Sequence, residues 1–194
     1  MIKKCRVKVP PYSQWISQLA QLGTAPAVTF VATVRLAVVI ATLLATFAWQ
    51  HYADSEVAVF QLMLIAVVAS VMSCITLAVP ALKQQKTSVA REITFDLAWI
   101  TLLLWYAGRA ENPFIYYLIV VVAIASLLLS FRSAAVVTGL SISIYTGLLF
   151  VDVQTHINHL SSGYRLHLIG MWINFILSAS IVFLCVSALM VALR

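Results

Sequence analysis

The sequence predicts an all-α integral membrane protein with six transmembrane helices and both termini in the cytoplasm. Of the 194 residues, 63% are hydrophobic and only 9% are charged, and the mean hydropathy is +1.02. Soluble domains carry about 25% charged residues, so a chain this apolar requires the bilayer as its solvent. The net charge of +6 reflects Lys and Arg retained on one membrane side and does not indicate a nucleic-acid partner.

Two regions are predicted. Residues 1–28 form a cytoplasmic tail and a short interfacial amphipathic helix, because apolar side chains recur at helical spacing in PPYSQWISQLAQLG, residues 10–23. Residues 29–194 form the transmembrane domain, in which Arg132 and Ser133 separate the fourth and fifth spans as a tight hairpin. Each apolar stretch approaches or exceeds the roughly 20 residues that a spanning helix needs. The predicted spans are 29–49, 57–81, 93–107, 114–131, 133–151 and 168–193.

The positive charges predict the orientation of these spans. With both termini in the cytoplasm, the outer side carries only Arg109 and Arg165. Loops on the cytoplasmic side of membrane proteins are enriched in Lys and Arg, so this asymmetry supports an even number of spans. The first apolar stretch is too long for a cleaved signal peptide and is predicted to be retained. The inner side carries Lys3, Lys4, Arg6, Lys8, Arg35, Lys83, Lys86, Arg91, Arg132 and Arg194.

No residue pattern in this chain predicts catalysis or a metal site. Phosphate-binding glycine loops, HExxH and GxSxG are absent from the sequence. Cys5, Cys74 and Cys185 lie too far apart to indicate a disulfide framework or a zinc site. All four histidines fall on the predicted outer side, where we interpret them as polar residues at the water boundary. They are His51, His156, His159 and His167, and a haem held by two of them is the alternative.

Asp96 is a carboxylate about one turn inside the third predicted span. An ionised side chain at this depth is costly unless it faces the bundle and finds a partner. Arg35 lies at a similar depth in the first span, near the same membrane side. We predict that Asp96 pairs with Arg35, and a proton-binding site is the alternative.

The segment GRAENPF, residues 108–114, lies between the third and fourth predicted spans. Gly108 is a suitable helix stop, Asn112 a suitable helix cap and Pro113 a suitable first helical residue. The aromatic residues around the segment are typical of a membrane interface. From the residues alone, a plain interhelical turn and a ligand site both stay open. The surrounding aromatic residues are Trp105, Tyr106, Phe114, Tyr116 and Tyr117.

GRAENPF resembles the GGxxNPF heptapeptide of the RegB/PrrB/RoxS-type redox-responsive sensor histidine kinases. In that family the heptapeptide lies on the outer loop between the third and fourth of six transmembrane helices and is associated with ubiquinone binding. FDLAWITLLLWYAG before the motif and HLIGMWINFILSA in the last span are also similar, so the resemblance covers the chain from about residue 30 onward. Gly108, Asn112, Pro113 and Phe114 match the motif, whereas Arg109 replaces its second glycine.

The resemblance implies a redox-sensing domain of the bacterial inner membrane that binds ubiquinone and forms a homodimer. Asn112 would donate a hydrogen bond to a quinone carbonyl, Phe114 and Trp105 would enclose the ring, and Tyr106 or Arg109 would be a second donor. The family's protein-histidine kinase region, which contacts the response regulator, is absent from these 194 residues. We therefore expect the chain to be the membrane portion of a longer kinase. The implied site residues are Trp105, Tyr106, Gly108, Arg109, Asn112, Pro113 and Phe114.

Two other classes of function stay open. A membrane interaction or assembly protein would use GRAENPF only as a turn. A small transporter or haem-containing electron carrier is disfavoured, because the charges lie near span ends and not at the membrane midplane.

Overall fold

In the computed structural model, the described residues are 23–52, 59–83, 88–156 and 162–193. Six long helices dominate these residues, and no strand occurs among them. A four-residue helix at Pro80–Lys83 and two short 3-10 helices, Arg109–Glu111 and Pro113–Tyr116, lie in the connections. The long helices are α1 (Thr24–Tyr52), α2 (Val59–Ala78), α3 (Ser88–Tyr106), α4 (Tyr117–Leu128), α5 (Phe131–His156) and α6 (Ser162–Leu193).

Four of these helices are long and apolar enough to cross a membrane, which confirms an all-α, multi-pass membrane character. They contain the stretches Thr24–Ala48, Phe60–Ala78, Phe131–Gln154 and Leu166–Ala192, with mean hydropathies between 1.9 and 2.6. α3 carries Arg91, Glu92 and Asp96, and the apolar stretch that includes α4, Phe114–Leu128, is shorter. Membrane crossing by α3 and α4, and thus the total of six spans, stays a prediction.

The helices follow the predicted spans with shifts at two boundaries. α1 begins at Thr24 within the predicted tail, because Pro26 is tolerated in a first helical turn, where its missing N–H needs no acceptor. The break between α4 and α5 lies at Leu129 and Ser130, and not at the predicted Arg132–Ser133. Ser130 Oγ accepts from Ser133 N at 3.3 Å, and so caps α5. The predicted interfacial helix at 10–23 lies almost wholly outside the described residues.

The distribution of side chains is inverted relative to a soluble protein. Phe47 and Phe60 on α1 and α2 are 71% and 76% exposed, whereas Arg35 and Asp96 are 2% and 6% exposed. Exposed large apolar side chains are favourable against lipid, and ionised groups in membrane helices face the bundle interior. The outer surface of the bundle is therefore suited to hydrocarbon, and its polar chemistry is internal.

The helices pack as two groups that meet at α3 and α4. α1, α2 and α3 contact one another, as do α4, α5 and α6. In the second group, Tyr145 and Phe175 meet edge to face at 4.7 Å between ring centroids. One turn away, Trp172 Nε1 donates to Thr146 Oγ1 at 2.9 Å. α6 is thus tied to α5 by an aromatic pair and a hydrogen bond.

Candidate functional site

The GRAENPF turn begins with two residues in the left-handed backbone region. α3 ends at Tyr106, after which Gly108 has φ 108° and Arg109 has φ 54°. Glycine adopts such angles without a side-chain clash, whereas an L-residue such as arginine is strained there by about 1–2 kcal/mol. Gly108 therefore stops α3 as predicted, and Arg109 holds a conformation that a glycine would adopt more easily.

Asn112 joins the end of α3 to the start of α4. Its Oδ1 accepts from Phe114 N at 2.8 Å, and its Nδ2 donates to Ala107 O. Pro113 occupies the first position of the 3-10 turn that leads into α4, where a missing N–H costs nothing. The predicted capping role of Asn112 is confirmed, with the cap on this 3-10 turn and α4 following it at Tyr117.

Arg109 links the turn to two neighbouring helices. Its guanidinium carbon lies 5.1 Å from the centroid of the Trp105 ring on α3. Its Nη1 lies 3.4 Å from Oδ1 of Asp152, a buried residue on α5. Asp152 Oδ2 also accepts from Ala110 N at 2.8 Å, so one carboxylate holds both a side chain and the backbone of the turn.

Asp152 is the one residue of this cluster that the sequence interpretation missed. It lies within the apolar stretch LLFVDVQTH near the end of the fifth predicted span. Its depth is comparable to that of Asp96 at the other end of the bundle, so the cost of a carboxylate in an apolar helix could have marked it. Arg109 would then have been the available countercharge on the same predicted side.

The aromatic residues of the predicted site fall into two sets. Trp105, Tyr106 and Tyr116 are exposed on the bundle surface. Phe114 is partly buried and stacks on Tyr117, with ring centroids 5.5 Å apart and planes at 8°. The structure brings Trp105 together with Arg109, and Gly108 together with Asn112. Phe114 instead extends the site towards α4.

Backbone strain at Gly108 leads to a first testable expectation. Gly108→Ala should lower the free energy of unfolding by about 1–3 kcal/mol, because alanine is strained at a φ of 108°. Thermal unfolding in detergent, followed by circular dichroism, measures the change. Gly147→Ala is the matched control, since Gly147 is helical and an added Cβ meets no atom within 4 Å. Equal melting temperatures for the two variants would contradict the assignment of strain to Gly108.

A second polar cluster lies inside the bundle, towards the end opposite to the GRAENPF turn. Arg35 Nε donates to Asp96 Oδ1, which confirms the predicted pairing. Arg35 Nη2 donates to Glu92 Oε2 at 2.9 Å and to the Glu92 backbone oxygen at 3.1 Å. Thr76 Oγ1 on α2 donates to Glu92 Oε1 at 3.3 Å. Arginine, carboxylates and hydroxyl thus connect α1, α2 and α3 in one network.

The remaining candidate ligands do not assemble into a site within the described part of the chain. Cys74 and Cys185 are exposed, and His167 is exposed on α6. No three His, Cys, Asp or Glu side chains come together as a metal site among the described residues. Cys5 and His159 lie outside those residues, and nothing is described of the side chains of His51 and His156.

Comparison of the chain with protein-family models, with curated proteins and with solved structures finds no match. The GRAENPF turn and the Arg35 network are therefore interpreted from their own geometry and chemistry.

Proposed function

We propose that the chain is the membrane-sensing domain of a redox-responsive sensor histidine kinase of the RegB/PrrB/RoxS type, and that the GRAENPF turn binds the ubiquinone head group. One observation carries the proposal. The family motif has glycine at the positions of Gly108 and Arg109, and both residues have positive φ here. A motif with two consecutive glycines is expected where the backbone needs this conformation. The likeness of GRAENPF to the motif thus extends from its letters to its backbone.

The turn also offers the chemistry that a quinone head group requires. A binding site for such a ring needs apolar and aromatic walls with a few polar donors. Exposed Trp105 and Tyr106 would supply the walls, and Arg109 lies over the Trp105 ring. Asn112 Nδ2 carries two hydrogens, of which one is directed to Ala107 O, so the second would serve a quinone carbonyl.

The proposal includes six spans in a bacterial inner membrane, with both termini cytoplasmic and the GRAENPF turn on the outer side. The 19 residues of α3 extend about 28 Å at 1.5 Å per residue, close to the hydrocarbon thickness. Its two carboxylates, Glu92 and Asp96, are buried, so the charges that lower its hydropathy face the bundle and not the lipid. This burial supports α3 as a span. The working unit would be a homodimer.

Signalling would depend on the different hydrogen-bonding character of quinone and quinol. Quinone only accepts hydrogen bonds, whereas quinol also donates, and only such a difference in affinity can shift an equilibrium between two helix arrangements. Asp152 connects the turn to α5, and the Thr146–Trp172 hydrogen bond connects α5 to α6. α6 would carry the change to a kinase region outside this chain, where ATP-dependent autophosphorylation would occur.

A direct test is quenching of tryptophan fluorescence in nanodiscs during titration with a soluble ubiquinone analogue. Saturable quenching is expected for the unchanged protein. Asn112→Ala should weaken binding about tenfold or less, the equivalent of one hydrogen bond. Trp105→Phe should remove much of the quenching amplitude. Asn174→Ala, which changes an exposed amide on α6, is the matched control and should leave the titration unchanged.

A second candidate function is a membrane interaction or assembly protein in which GRAENPF serves only as a turn. The observation that favours it is that Asn112 uses both its oxygen and its nitrogen on backbone groups of its own turn. Non-saturating quenching that is equal in the unchanged protein, Asn112→Ala and Asn174→Ala would reject quinone binding and support this candidate.

A further inference from the structure

Arg35 is buried with one of its nitrogens unsatisfied. Its Nε and Nη2 donate to Asp96 and Glu92, and its side chain is fully buried. Nη1 is also buried, but no described residue accepts a hydrogen bond from it. Hydrocarbon cannot replace that acceptor, and an orphaned N–H group of a charged side chain costs more than a neutral one. Such a group requires an acceptor from another source.

A small cavity lies beside this guanidinium, between α1, α3 and α4. Its volume is about 20 Å³, which holds one water molecule and is too small for an aromatic ring. The polar residues that border it are Arg35, Asp96, Trp99 and Tyr117, and aliphatic side chains form the remaining walls. Buried water typically makes two to four hydrogen bonds with such groups. The space and the orphaned donor therefore meet at the same residue.

The geometry points to a binding site for one ordered water molecule, which we propose accepts from Arg35 Nη1 and donates to the Asp96 carboxylate. The charges around it favour a neutral occupant over an anion. Arg35 and Arg91 lie within 3.4 Å or less of the carboxylates of Glu92 and Asp96, so two positive groups already face two negative ones. An added anion would leave a net charge in the bundle, which is costly there. Water completes the network without changing its charge.

This water would give the interior of the bundle a hydrogen-bonded contact between α1 and α3 that can exchange with solvent. Asp96 Oδ1 already accepts from both Arg35 and Trp99 Nε1, the latter at 3.1 Å. The bound water therefore meets a carboxylate whose orientation is held from two sides. The inference does not depend on quinone binding, because none of these contacts involves the GRAENPF turn.

Radiolytic hydroxyl-radical labelling in ¹⁸O-water, read by mass spectrometry, tests the site, because radicals formed from bound water label the side chains beside it. Trp99 should be labelled several-fold faster than Phe175 after correction for intrinsic reactivity, although both side chains are buried. Val121→Ile and Val38→Ile, which fill the cavity from α4 and from α1, should each lower labelling of Trp99 to the level of Phe175.

Val122→Ile is the matched control, since it adds the same methylene at a buried position that does not border the cavity. Labelling of Trp99 should be unchanged in this variant. Trp99 labelling no faster than that of Phe175 in the unchanged protein would overturn the proposal, and this comparison needs no variant to fold. Undiminished labelling of Trp99 in folded Val121→Ile and Val38→Ile would overturn it as well.

Discussion

Arg35→Met is expected to lower the free energy of unfolding by about 3–5 kcal/mol, the usual cost of removing one partner from a buried ion pair. Methionine fills much of the same space, so the loss would come from Glu92 and Asp96, which stay buried without their countercharge. The stacking of the Arg35 guanidinium on Phe95, at 4.7 Å from the ring centroid, would be lost as well. Detergent-solubilised protein, unfolded by heat or by a titration with SDS, gives the measurement.

Two comparisons separate the charge effect from loss of the side chain. Arg132→Met removes an exposed arginine at the start of α5 and should change stability by no more than about 0.5 kcal/mol. A triple variant, Arg35→Met with Glu92→Gln and Asp96→Asn, should recover most of the loss, since it leaves no unpaired charge in the bundle. If Arg35→Met and Arg132→Met had the same stability, the Arg35 network would have no energetic role.

Depth and spacing in the sequence account for part of the Arg35 network. The Arg35–Asp96 pair was predictable because both side chains lie inside apolar helices near the same membrane side. Glu92 was missed, because it follows Arg91 near a span end and resembles an interfacial charge. Its spacing of four residues from Asp96 places both carboxylates on one helix face, a signal that was present in the sequence. Thr76 carries no such signal, since its contact depends on how α2 packs.

The fold was largely predictable because long apolar runs leave the backbone few alternatives to helix in a bilayer. All six predicted spans have a helix in the structure, and the differences lie at the ends. Hydropathy counts apolar side chains and does not register a cap, so the Ser130 cap displaced the predicted break between α4 and α5. For the same reason hydropathy did not show that α1 begins at Thr24.

In the GRAENPF turn, the local part was predictable and the tertiary part was not. Gly108, Asn112 and Pro113 act on their immediate neighbours, so helix-capping preferences identify their roles. The positive φ of Arg109 was not predicted from its residue type, because arginine rarely adopts it. Asp152 reaches the turn across 42 residues of sequence, and only the packing of α5 against the turn brings the two together.

Asp152→Ala is expected to loosen the GRAENPF turn and to lower stability by about 1–3 kcal/mol, the cost of a buried N–H group without an acceptor. Ala110 is fully buried, and its amide donates to Asp152 Oδ2 at 2.8 Å. Hydrogen–deuterium exchange of the peptide that covers residues 107–114 should accelerate by about 5- to 150-fold, the same free energy expressed as an equilibrium ratio.

Two further variants divide the effect between the backbone bond and the ion pair. Asp152→Asn keeps an oxygen that can accept from Ala110 N, so it should cost less than Asp152→Ala. Arg109→Gln removes only the partly exposed pair at 3.4 Å and should cost about 1 kcal/mol or less. Unaltered exchange of 107–114 in Asp152→Ala would mean that the turn holds its shape through Asn112 alone. In that case Asp152 would not connect the turn to α5, and the proposed route from the turn to α6 would lose its first step.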